Sequence, residues 1–228
     1  MESMAFLDDS KTYRYSLERI WDPHKERVLF IMLNPSSANQ DSEDATSRRC
    51  LNIAKRLGYG SLEIVNLFAY IATKRKDLLQ VSKEDAIGPE NENHVIRALN
   101  RADMVIAAWG ENCKYHNRHK DIYELFRGYH LHCLGKTRDG FARHPLYLRG
   151  DSQPIDYIKP ERVVHRLIRT ARNHERTSKE GLTTNCNGET GGDAWVWCSN
   201  CHEEHPVAGS TACLSCINKL IEDYHKEA

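Results

Sequence analysis

The residues of this chain that could do chemistry stand mostly just past apolar runs of strand length. Asn34, in the string Asn34-Pro35-Ser36-Ser37, follows the apolar run 28–33. Asn66 follows the run 62–65, Trp109-Gly110 follows 104–108, and His144-Pro145 lies in a turn-rich stretch after 129–134. An asparagine amide offers one donor side and one acceptor side, and a histidine can donate to an atom that gains negative charge. In open α/β sheets ligands sit outside the carboxyl ends of the strands, so polar residues at those points are placed to meet one. Asn34-Pro35 taken alone also reads as an ordinary turn start.

A second set is made of thiols. Cys198-Ser199-Asn200-Cys201 and Cys213-Leu214-Ser215-Cys216 are two tight knuckles, each aiming two thiolates at one point, and together they fit a tetrahedral structural zinc ion. Disulfide pairing is the alternative, and Cys186, His202 and His205 are spare donors. The absence of a signal-peptide core and of a membrane-span run leads to the expectation of a cytosolic protein, and eight cysteines in that compartment point to metal before disulfides. No apolar run has the length of a membrane span.

Lys plus Arg and Asp plus Glu number 32 each among the 228 residues, so nucleic-acid binding would have to rest on local patches. Such patches occur at Arg48-Arg49, Lys74-Arg75-Lys76, Arg138, Arg143 and Arg149. Charged loops of this kind are also commonly just solvated.

The elements that must position these residues alternate. The aromatic and polar residues of 13–21 predict a leading strand or hairpin, followed by buried strands over 28–33, 62–65, 104–108 and 129–134. Between them the apolar spacing predicts helices: one capped by Ser42 or Asp44 and running to Gly58, a short one over 75–80, one opening at Gly88-Pro89, one over 117–127, and a last one over 160–172. That alternation predicts an α/β fold, three-layer α/β/α with a mainly parallel central sheet. The composition of 173–193 is that of a linker, so the expected domains are 1–172, the linker 173–193, and a zinc ribbon over 194–228. The ribbon is too small to fold on an apolar core alone.

Asn34-Pro35-Ser36, Asn66, Trp109-Gly110 and His144-Pro145, in that order at successive strand ends, resemble the motif series of the uracil-DNA glycosylase superfamily, in particular its mismatch-specific and single-strand-selective branches. The strings 31–36, 66–70, 108–110 and 144–147 look closest to an outlying bacterial and phage branch, and the likeness covers roughly residues 13–158. It implies a DNA glycosylase that flips a nucleotide out and hydrolyses its N-glycosidic bond, leaving an abasic site and using no catalytic cofactor.

In that scheme Asn34 would hold the attacking water and Asp44 would supply a carboxylate, unless Asp44 is simply a helix cap. His144 would donate to the departing base, and Asn66 would read its Watson-Crick edge. Pro35 and Ser36 would line the base site, with Phe68 stacking on the base unless it belongs to the core. Leu33, Ser36 and Leu146-Tyr147 depart from the better-known branches and point away from uracil, toward a bulky or hypermodified base and a role against phage. DNA is the implied partner, and the ribbon, with Trp195 and Trp197, would grip DNA or a protein. Two rivals remain: a non-catalytic reader of modified bases, and an enzyme acting on bases or free nucleosides. Because a zinc ribbon folds only around its ion, chelation is expected to abolish the order of 194–228 and leave the first domain folded, as read by residue-resolved hydrogen exchange. Unchanged protection of 194–228 after chelation would contradict a zinc-dependent fold.

Overall fold

The computed structural model describes residues 1–35, 44–72 and 75–160, together with the backbone of 195–197 and 204–206. The chain divides into two compact units, Met1–Lys159 and Pro160–Ala228. The expected helix over 160–172, apart from its first residue, and the linker lie outside the described residues, as do Ser36 and the ligand set Cys198, Cys201, Cys213 and Cys216.

The first unit is a mixed α/β fold built on a seven-stranded sheet. In chain order it contains β1 (Glu2–Leu7), β2 (Arg14–Ile20), β3 (Arg27–Met32), α1 (Ala45–Arg56), β4 (Ser61–Asn66), α2 (Lys83–Ile87), α3 (Asn91–Arg101), β5 (Met104–Ala107), α4 (Arg118–Phe126), β6 (Leu131–Cys133) and β7 (Ile155–Ile158). The strands are ordered β1-β2-β4-β3-β5-β6-β7. The ladders joining β4, β3, β5 and β6 are parallel, whereas β1, β2 and β7 pair antiparallel at the two margins. The sheet is therefore parallel at its centre rather than throughout. β1 and β2 form a leading hairpin, and β7 follows β6 through residues 134–154 with only a short helical turn at Pro145–Tyr147, so neither margin has a crossover α-helix to impose parallel pairing.

Continuous burial explains why the central strands read as unbroken apolar runs: residues 28–31 of β3 are fully buried on both faces. Val28, Phe30, Leu62 and Ile64 point to the face covered by Cys50, Leu51, Ile53 and Ala54 of α1. That helix starts where Asp44 accepts a hydrogen bond from the Ser47 amide at 2.6 Å. It ends at Gly58 (φ 91°), with Gly58 N–H bonded to Lys55 O and Tyr59 N–H to Ala54 O, a Schellman stop that needs a left-handed residue.

The opposite face carries α3 and an ionic cluster. Glu18 of β2 and Glu63 of β4 lie directly across from one another. Glu63 is fully buried, and burial pushes its carboxyl up while Arg101 and Arg27 oppose the shift. The Arg101 guanidinium meets Glu63 through Nε at 2.8 Å and a second nitrogen at 2.5 Å, and reaches Glu18 at 2.7 Å. Arg27 bridges the same two carboxylates at 3.3 and 3.2 Å. Two like charges facing each other across a ladder would be repulsive, so the arginines are required partners. In the second unit, β8 (Trp195–Trp197) and β9 (Glu204–Pro206) pair antiparallel.

Arg101→Ala is expected to cost about 3 kcal/mol in denaturant unfolding because it strands the buried Glu63 charge, and adding Glu63→Gln should recover much of that loss. A cost below about 0.5 kcal/mol, the usual size for a neutral surface change, would show that the cluster does not hold α3 to the sheet.

Candidate functional site

Parallel pairing sets three chain exits side by side. Met32 at the end of β3 is level with Asn66 at the end of β4. The ladder runs on past both strands, with Leu67 N–H bonded to Met32 O and Phe68 N–H to Leu33 O. On the other side Ala108 N–H bonds to Ile31 O, which aligns the exit of β5 with them. A turn over 136–142, closed by the Lys136–Ala142 bridge, is tied to the β5 exit by Gly110 N–H to Ala142 O at 2.8 Å. These exits surround a crevice of about 660 Å³.

Of the residues singled out from sequence, Asn34, Pro35, Asp44, Asn66 and His144 all line that crevice. Asn34 gives its amide hydrogens to the carbonyls of Pro35 (2.9 Å) and Ala72 (3.3 Å), which turns its Oδ1 into the group left to accept. Asp44 serves as the α1 cap and also lines the crevice. His144 accepts the Leu146 amide hydrogen at Nδ1 (3.3 Å), capping the short turn Pro145–Tyr147. A neutral imidazole so engaged carries its hydrogen on Nε2, the donor form.

Asn66 is the most informative of them. It is 1 % exposed, and among the described residues neither its Oδ1 nor its Nδ2 has a hydrogen-bond partner. Its backbone is fixed: the Asn91 amide donates to Asn66 O at 3.0 Å and to Leu67 O at 3.3 Å, and Arg118 Nε also donates to Leu67 O. A buried amide with both ends unpaired costs about 1–3 kcal/mol per unmet group, and native interiors rarely tolerate one. A ligand with an acceptor beside a donor would satisfy both ends.

Phe68 is a correction. It is fully buried and packs edge-on to His116, with ring centroids 6.0 Å apart, and it does not line the crevice. Removing the apolar ring from water into the core outweighs leaving it at an open ligand site.

Sequence reasoning missed Arg14, which lines the crevice from β2 and is 4 % exposed. Burial pulls its guanidinium down to about 10, with the Asp44 charge opposing and Arg19 adding to the shift, so it stays cationic at neutral pH. An arginine in an alternating strand carries no signal that separates it from a solvent-facing one. Trp109, 1 % exposed, forms part of the wall and stacks on Phe126 at 5.9 Å. Lys136, Arg138 and Arg143 also line the crevice, against the acidic Asp44 and Glu111, so its charge is positive although the chain is neutral.

Three buried thiols, Cys50, Cys113 and Cys133, lie elsewhere in the unit, and burial raises all three above the usual thiol range. Thiols held protonated in this way are poor nucleophiles. No helix among the described residues is long and apolar enough to cross a membrane.

No curated protein and no solved structure matches the chain. The family model described as "Protein of unknown function (DUF1643)" matches residues 14–146, a span that begins at Arg14 and contains Asn34, Asn66, Trp109 and His144. That span is more than half of the 228 residues, and the chain belongs to this family.

Proposed function

We propose that the chain is a monofunctional DNA glycosylase that hydrolyses the N-glycosidic bond of a damaged or modified base. The observation that carries this reading is the unpaired Asn66 amide, buried in the wall of a positively lined crevice. A nucleobase edge sets an acceptor beside a donor, and a flipped base brings that edge into a pocket. The volume of about 660 Å³ falls within the range of small-molecule sites and leaves room for a base larger than a plain pyrimidine.

With the base on Asn66, water attacks C1′ of the sugar while the bond from C1′ to the base nitrogen breaks, its electron pair leaving with the base. His144 Nε2–H donates to the base oxygen on which charge collects, and the Arg14 cation lies close enough to the crevice to lower the energy of that anion. Asn34 Oδ1 accepts from the attacking water, and the Asp44 carboxylate favours the positive sugar and the departing water proton. Lys136, Arg138 and Arg143 suit backbone phosphates. Leu146 and Tyr147, 45 % and 60 % exposed at the crevice mouth, are apolar groups placed to fill the gap in the base stack.

The ordered motif likeness to the uracil-DNA glycosylase superfamily supports the same assignment. With it go a three-layer α/β/α arrangement, a structural zinc ribbon on Cys198, Cys201, Cys213 and Cys216, DNA as partner, a cytosolic setting and a role against phage carrying hypermodified bases. The α1 and α3 packing on opposite sheet faces supports the layering. The β8–β9 hairpin supports the ribbon, since the chain between its strands contains Cys198 and Cys201. One observation favours a non-catalytic reader: Asn34 and Asp44, the two groups assigned to water, are both engaged in local backbone contacts.

The test is mass spectrometry of small molecules released from uracil-bearing, mismatched and phage-modified DNA. One free base should appear, and His144→Ala should slow its release by about 100-fold or more, the size expected for losing one transition-state donor. DNA binding with no base released from any of these DNAs would favour the reader. Asn66→Leu should abolish recognition while raising the melting temperature by a few degrees, because it removes a buried unpaired amide. A structural asparagine would give the opposite result, a less stable protein.

A further inference from the structure

A second cluster of potential ligands lies at the β6–β7 margin. His132 lies in β6 and His130 just before its start, and Asp156 is the direct cross-strand partner of His132. The register shifts between Leu131 and His132, where β7 carries the extra residue Tyr157. His130 Nε2 lies 2.9 Å from Asp156 Oδ1, His132 Nε2 lies 3.8 Å from the same oxygen, and the two ring centroids are 4.3 Å apart. One donor atom from each residue falls within 4.8 Å of the others.

We propose that His130, His132 and Asp156 form a binding site for a divalent transition-metal ion of the zinc type, separate from the crevice and from the C-terminal cysteines. Two imidazoles and one carboxylate are the donors such ions take, with an open fourth position left for water or another donor. Ligands about 2.0–2.2 Å from a tetrahedral ion lie about 3.3 Å from each other, a value between the two nitrogen-to-oxygen distances here.

Lys159 approaches Asp156 through its other oxygen, at 3.4 Å from Oδ2, and leaves Oδ1 to the imidazoles. The site has a mechanical consequence. One donor comes from β6, one from the residue just before it and one from β7, so a bound ion clamps a four-residue edge strand that only short antiparallel pairing holds.

The test is equilibrium dialysis of the full-length protein against Zn²⁺, with bound metal counted by mass spectrometry in wild type, His130→Ala and Asp156→Ala. His130 and Asp156 are 42 % and 50 % exposed in their side chains, so both variants are expected to fold. Each should bind one ion fewer than wild type. Cobalt substitution separates the sites: the thiolate charge-transfer band should persist in the variants, while the weaker band of a nitrogen and oxygen site disappears. Equal metal content in all three proteins would overturn the proposal. So would a lost ion accompanied by a lost thiolate band, which would put that metal on the cysteines.

Discussion

Everything at the crevice depends on the parallel pairing of β3 with β4 on one side and β5 on the other. Because Met32 and Asn66 are level, and because the ladder continues through Leu67 and Phe68, Asn34 and Asn66 leave the sheet beside each other although they are far apart in sequence. A slip of one residue in β4 would turn the Asn66 side chain to the other face. The register is held from both faces. Apolar residues of α1 pack on Leu62 and Ile64, and the Arg101 and Arg27 guanidinium groups capture Glu63 between them. The buried ionic cluster thus has a role beyond stability: it fixes which residues of β4 face which layer.

Several buried polar atoms of the described residues lack a hydrogen-bond partner, and Asn66 differs from the others in lacking one at both ends of its amide while lining the crevice. Asn91 and Arg118 hold its backbone and that of Leu67, so the amide meets its ligand already positioned. Arg14 adds a cation that the same enclosure makes less well hydrated and therefore stronger in its field. His144 is oriented by a backbone contact of its own. On the proposed function, such a site suits a flat, polar, partly anionic group better than an aliphatic one.

Much of this was legible in the sequence, for identifiable reasons. The central strands are covered on both faces and so appear as continuous apolar runs, and Asp44 and Gly58 bracket α1 with cap chemistry readable residue by residue. The residue types at the strand ends pointed to Asn34, Asn66 and His144. What could not be read depends on pairing. β7 is short and half exposed, α2 has only Ala86 buried, and neither leaves a periodic trace. Arg14 enters the crevice because β2 pairs with β4, which no local pattern states. Phe68, which the sequence leaves open between base and core, belongs to the core through tertiary packing that no local pattern states. Asp156 meets His132 only through a bulged ladder.

The central claim is that the crevice takes a base through the Asn66 amide, and the side-chain amide resonances of Asn66 report on it directly. In the ¹⁵N-labelled protein these signals should move on titration with the DNA that the protein recognises, and stay in place with the same strand carrying only ordinary bases. DNA that binds and shifts other resonances while leaving the Asn66 amide unmoved would contradict the account.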